Sequence, residues 1–251
     1  MSSTDRAFAH QSPAPERLAM FPLGSVLFPE LGLPLRIFEP RYREMIADCL
    51  AGHRQFGVVL IERGSEVGGG EQRLSVATTA TIVDAERQND GTIGVFSVGT
   101  GRVEVQHWLP DDPYPAALVT PYADHDQPPE FDEHAAAAGP GHDPDGRKRP
   151  GNAMDEVDAV DAVDAVDAVD AVVRRLRSAL AHRAEANLVA APATIELSPD
   201  RSVALWQVCG LVPATPLDDY ELLRTRTRAD RIAAIDALLD ASDDQVRFHM
   251  S

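Results

Sequence analysis

The chain has 251 residues, 44% of them hydrophobic, and a formal net charge of −17. It can therefore bury a core in one large domain or two small ones, and it lacks the basic surface that nucleic-acid phosphates or anionic membranes require. Two cysteines, Cys49 and Cys209, offer neither a disulfide framework nor a four-cysteine zinc site, no run approaches the ~18 apolar residues of a membrane span, and a reduced cytoplasm is the expected location.

Residues 1–17 are polar, are broken by Pro13 and Pro15, and lack the basic start and apolar centre of a secretory signal, so a disordered tail is expected. Residues 18–122 read as a β domain. Short apolar stretches recur at Leu18–Phe21, Ser25–Phe28, Phe56–Ile61, Ala80–Val83, Gly94–Val98, Arg102–Val105 and Ala117–Val119. Strands at this spacing suggest a small barrel or sandwich. Asn89-Asp90-Gly91 is a hairpin turn, because these residues tolerate positive φ. Gly68-Gly69-Gly70 marks a flexible loop, and Gly99-Thr100-Gly101 reads as a turn instead of a dinucleotide fingerprint. One helix, 39–51, interrupts the strands. Tyr42, Met45, Ile46, Cys49 and Leu50 form a single apolar stripe, Pro40 suits the first turn, and Gly52 suits the exit.

Residues 123–153 hold Pro128-Pro129, an alanine run, Gly139-Pro140-Gly141 and Arg147-Lys148-Arg149-Pro150, the composition of an acidic linker. A helical subdomain over 154–242 follows. It begins with an Asp-Ala-Val triplet repeated five times from Asp158 to Val172. A three-residue repeat advances ~300° around an α-helix, so the aspartates spiral instead of forming one face. Each also repels the next at i+3. The tract reads as an expandable helix extension without specific chemistry. Ser198-Pro199-Asp200 opens a helix towards Gly210. Thr215 and Thr227 each precede an Asp by three residues, as in a capping box, and Ile232, Ala234, Ile235, Leu238 and Leu239 stripe the last helix. Residues 243–251 read as a tail.

The order of these features resembles the N-terminal, substrate-recognition domain of Lon proteases. The resemblance rests on Leu18-Ala19-Met20-Phe21-Pro22-Leu23-Gly24-Ser25-Val26-Leu27-Phe28-Pro29 followed by Leu33-Pro34-Leu35-Arg36-Ile37-Phe38-Glu39-Pro40-Arg41-Tyr42. Ala77 to Ile82, the hairpin, Val98 to Val103 and the helices from Ser202 to Leu239 keep the pattern. It implies an α+β fold, a PUA-like β-barrel or pseudobarrel followed by an α-helical bundle, that engages unfolded or exposed polypeptide. A protease or chaperone is the implied partner. The chain departs from Lon in stopping where an ATPase would follow and in carrying the acidic insert.

The chemistry of the residues points to binding without catalysis. A P-loop needs a lysine at the terminal phosphates, and a Ser-Lys dyad needs one desolvated in a pocket. Lys148 is the chain's single lysine, set between arginines in the linker, and no Gly-Lys dipeptide exists. There is no Gly-x-Ser-x-Gly elbow and no His-Glu-x-x-His helix. His125, His134 and His142 cluster only within the linker, so no metal or other cofactor is expected, and Cys49 on the apolar stripe reads as an inert buried thiol. The candidate peptide-binding residues are Phe28, Arg36, Phe38, Glu39, Arg41 and Tyr42. Arg41 has forked donors and Tyr42 an aromatic ring with a polar tip, although core packing also accounts for Phe28, Phe38 and Tyr42, and Glu39 also fits as a helix cap. A PUA-like barrel that binds RNA or a small ligand is the alternative, and the acidic charge opposes the RNA form of it.

Overall fold

The structure, a computed structural model, describes residues 13–61, 74–125 and 154–251, and over 154–167 the backbone alone. The Gly68-Gly69-Gly70 loop, His134, His142, Lys148 and most of the expected tail and linker lie outside these residues. The chain forms two compact units, one from residues 1–123 with 215–224 and one from 124–214 with 225–251.

The first unit carries a mixed sheet of β1 (Glu16–Leu23), β2 (Gly32–Ile37), β3 (Gln55–Leu60), β4 (Val76–Arg87), β5 (Ile93–Trp108) and β6 (Ala116–Pro121), with α1 (Pro40–Ala51) between β2 and β3. The strand order is β2-β5-β4-β3-β1-β6, with a further β5–β6 pairing. β1 and β3 run parallel, and every other pair is antiparallel. The pairings β1–β3–β4–β5–β6 thus return to β1. The sixteen-residue β5 makes this return. Its residues 93–98 pair with β2, whereas 103–108 take β6 on that same side.

Alternation along the strands fills both faces of the sheet. Ala19, Phe21, Phe56, Val58, Ala80, Ile82, Ile93 and Val95 pack with Tyr42, Met45, Ile46 and Cys49 of α1. Met20, Val59, Ala77, Ala117 and Val119 form a second cluster. Each fully buried aliphatic side chain contributes about 1.5–3 kcal/mol, so the predicted α1 stripe is what holds this helix on the sheet. Pro40 opens α1, and Gly52 closes it by donating its N–H to the Asp48 and Cys49 carbonyls. Burial pushes the Cys49 thiol up to about 11, which keeps it protonated and unreactive.

Two local expectations fail. Gly99-Thr100-Gly101 is no turn but lies within β5. A Cβ on Gly99 would sit 2.5 Å from the Phe28 carbonyl oxygen, so glycine here permits a close backbone crossing. Ser25–Phe28 is apolar but not a strand. It crosses β5 as a loop whose Glu30 turns at φ 65° and donates its N–H to the Gly99 carbonyl at 2.8 Å. The Asn89-Asp90-Gly91 hairpin does form, with Gly91 at φ 81°.

Helix α4 (Pro216–Arg224), which the sequence placed among the helices of the second half, belongs to the unit of the sheet. The Tyr220 hydroxyl accepts from the backbone N–H groups of Ser75 and Val76 at 3.2 Å. At the other end Arg102 donates to the Leu223 carbonyl at 2.6 Å, and the Tyr122 hydroxyl to the Arg224 carbonyl at 2.8 Å. Carbonyls that a helix C-terminus leaves without partners are thereby satisfied by the strands. Thr215 and Asp218 cap the start reciprocally, each side chain bonding the other's backbone N–H.

The second unit holds α2 (Met154–Glu185), α3 (Arg201–Cys209) and α5 (Arg228–His249). The whole Asp-Ala-Val tract is helical, as the first part of α2. Its last two valines, Val169 and Val172, are buried with Leu176, Ala179 and Leu180. Facing them, α5 buries Arg231, Ile235, Leu239, Ser242 and Val246. Because Val246 continues this stripe, residues 243–249, expected as a tail, are the end of α5. Arg175 pairs with Asp236 and Asp240, and Arg183 donates to Ser242 and Gln245, so the two helices run in the same direction. Asp200 caps α3 by accepting from the N–H groups of Ser202 and Val203. Arg231, 3% exposed, lies 3.8 Å from the Trp206 ring and makes a forked pair with Asp124 at 2.7 and 3.2 Å. Among the described residues no helix is long and apolar enough to cross a membrane.

Candidate functional site

Where β1 ends, the chain leaves the sheet and the start of α1 comes close to it. Phe21, Pro22 and Leu23 of β1, Ile61 after β3, Asp111 and Pro115 between β5 and β6, and Glu39, Arg41 and Tyr42 at the start of α1 line a cleft of about 390 Å³. Six of these nine residues are apolar or aromatic, and three are charged. The Tyr42 ring packs 4.6 Å from Phe21, centroid to centroid, and the Arg41 guanidinium lies 4.6 Å from the centroid of the same tyrosine ring. Arg41 Nε also donates to Glu39 at 2.9 Å, so its charge is held at the rim by an internal partner. Glu39 occupies the cap position of α1 without a side-chain cap bond, its carboxylate being turned to Arg41 instead.

The loop carrying Asp111 is fixed from behind. The Tyr114 hydroxyl donates to the Asp48 carboxylate of α1 at 2.7 Å, and burial raises the tyrosine pKa, with the Asp48 bond adding to it. Pro110 and Pro113 bracket the acid pair Asp111-Asp112. Asp111 and Asp112 are both exposed.

Of the six residues singled out by sequence, three meet here: Glu39, Arg41 and Tyr42. Phe38 precedes them and is exposed at 67%. Arg36 lies elsewhere, in a second cleft of about 550 Å³ with Gln88, Asn89, Asp90 and Gly94 of the hairpin. It pairs there with Asp90, whose carboxyl is held down to about 2, first by hydrogen bonds from Thr92 and then by Arg36. Phe28 is 1% exposed and has no surface for a ligand, because the loop crossing β5 turns it into the core. Phe21, Pro22, Leu23, Ile61, Asp111 and Pro115 were missed. The proline-bracketed acid pair is the one local signal that could have pointed to them.

Among the described residues β2 is an edge strand, and its outer side is chemically blunted. Gly99 N–H donates to the Leu31 carbonyl, and alternation from that bond turns the backbone of Gly32, Pro34 and Arg36 away from β5. Pro34 has no N–H to offer there, which blunts the edge as natural sheets do.

The comparisons with known proteins agree with this architecture. Two solved structures superpose on it with a TM-score of 0.52: a Lon N-terminal domain protein from Xanthomonas campestris, at 22% identity over 88% of this chain and 98% of that one, and the N-terminal domain of a Mycobacterium avium complex Lon protease, at 10% identity over 90% and 98%. At these identities the likeness is one of fold. In sequence, the Lon protease of Dictyoglomus thermophilum is 27% identical over 106 residues and that of Desulfosudis oleivorans 29% over 105. These matches cover 42% and 40% of this chain but 13% of each relative. The model of the substrate-binding domain of ATP-dependent protease La (LON) matches residues 17–241, which takes in both units and every helix and strand of the cleft. With nearly the whole chain so matched, it belongs to the Lon substrate-binding domain family.

Proposed function

We propose that this chain is a non-catalytic module that binds exposed segments of unfolded polypeptide in the cleft between the end of β1 and the start of α1, serving as an adaptor or holdase-like factor beside a protease or chaperone. The family match over residues 17–241 carries the reading. The cleft supports it: its apolar lining residues, Phe21, Leu23 and Ile61 among them, suit side chains of many shapes, and Arg41, Glu39 and Tyr42 supply polar contacts for a peptide backbone. The single lysine, Lys148, leaves neither a P-loop nor a Ser-Lys dyad within the sequence. The absence of any basic excess supports polypeptide over RNA as the ligand.

Capture of an unfolded, reduced and alkylated model protein by the immobilised chain tests this, with the folded form of that protein as control. Wild type is expected to retain the unfolded form alone, Arg41→Ala to retain several-fold less, and Arg36→Ala, in the other cleft, to retain as much as wild type. Equal and negligible retention by wild type and variant would overturn the reading.

A further inference from the structure

Resting on that reading, we infer that Tyr114 is a positioning residue for the cleft: its hydrogen bond to Asp48 ties the loop that supplies Asp111 and Pro115 to the helix whose start supplies Glu39, Arg41 and Tyr42. The loop, residues 109–115, joins β5 to β6. Pro110, Pro113 and Pro115 have no N–H, so the loop has few backbone donors with which to hold its own shape. Backbone bonds fix its ends. The Leu109 N–H donates to the Ala116 carbonyl at 2.9 Å, and the Met20 N–H of β1 to the Pro115 carbonyl at 2.8 Å. Tyr114 adds a side-chain tie to α1. It is 4% exposed and packs in the same core cluster as Phe21, Tyr42, Met45 and Ile46. Its hydroxyl donates to the Asp48 carboxylate at 2.7 Å, and Asp48 lies on the same helix as Arg41 and Tyr42. Neither Tyr114 nor Asp48 is among the residues lining the cleft, so the pair acts on a bound segment through the residues it positions. Lining residues that are held before the segment arrives lose less freedom on binding it, and the affinity is higher for that reason. Asp48 is exposed, so loss of the tyrosine hydroxyl leaves its carboxylate to water and loosens the loop more than it destabilises the fold.

The test titrates the full chain against the reduced and alkylated model protein, fluorescently labelled and followed by anisotropy. Tyr114→Phe keeps the buried ring, 5.9 Å from the Arg17 guanidinium, and removes the donor, whereas Asp48→Ala removes the acceptor. Each is expected to weaken binding roughly three- to tenfold, and the two together no further than either alone. Asp48→Asn keeps an acceptor oxygen and should stay within about twofold of wild type. Tyr220→Phe removes a hydrogen bond elsewhere in the same unit and should bind as wild type does, which separates positioning from general destabilisation. Wild-type affinity in Tyr114→Phe and Asp48→Ala, additive losses in the double variant, or a loss in Asp48→Asn as large as in Asp48→Ala overturns the positioning role and leaves the polypeptide-binding reading standing. An equal loss in Tyr220→Phe shows that binding follows stability, and overturns it too. If the wild-type chain binds no unfolded protein, both fall.

Discussion

Asp219 lies in the first turn of α4 beside Asp218, and its carboxyl is pushed up to about 6, first by burial and second by the Asp218 charge. The ordinary value is 3.8, so folding takes up a proton between the two. The resulting stability is fully present below about pH 4 and is lost as pH rises through 6. Asp219→Asn removes the charge without changing the shape. It is expected to raise the unfolding free energy from urea titration at pH 7.5 by on the order of 1 kcal/mol, allowing for the part of the carboxyl that faces solvent, and to change it little at pH 4. A variant less stable than wild type at pH 7.5 would show that the carboxylate has a partner of its own. Asp90 titrates oppositely: its stabilisation is present at neutral pH and is lost only as pH falls towards 2.

At the scale of elements, α1 and α4 were read with unequal success. The α1 stripe was legible because its core neighbours come from its own face at helical spacing, and Tyr42, Met45, Ile46 and Cys49 are all buried as the period requires. The start of α4 and its capping pair were legible too, yet its company was not. What assigns it to the sheet is a hydroxyl on Tyr220 and two donors from Arg102 and Tyr122, residues about 100 or more positions apart from their partners. Tyr220→Phe keeps the ring and removes the acceptor for the Ser75 and Val76 N–H groups. We expect it to cost about 1–3 kcal/mol in denaturant unfolding and to speed hydrogen exchange at those two amides first. Unchanged exchange there would mean that water replaces the hydroxyl without loss.

For the molecule as a whole, the Asp-Ala-Val tract tests which parts of the sequence are structural. Along α2 the described burial begins at Val169, near the end of the tract. Because the triplets are identical, deleting Asp158, Ala159 and Val160 leaves the sequence next to α5 unchanged and shortens only the start of the helix. Stability should shift by less than about 0.5 kcal/mol, with a far-ultraviolet circular dichroism loss equal to roughly three helical residues. A loss above about 1 kcal/mol would show that the early triplets pack against something.

By itself the sequence determined the acidic surface, the alternation of short strands, the helical stripes and the caps at Asp200, Thr215 and Thr227, because each depends on residues within a few positions of one another. It also carried the family pattern at both ends of the matched region. Tertiary structure alone decided that Gly99 to Gly101 continue a strand, that α4 joins the sheet, that Phe28 is core, and that Glu39, Arg41 and Tyr42 line one cleft with Asp111. Those outcomes follow from pairings between distant strands, chiefly the passage of β5 from β2 to β6, and no local period encodes which distant backbone will arrive to satisfy a given group.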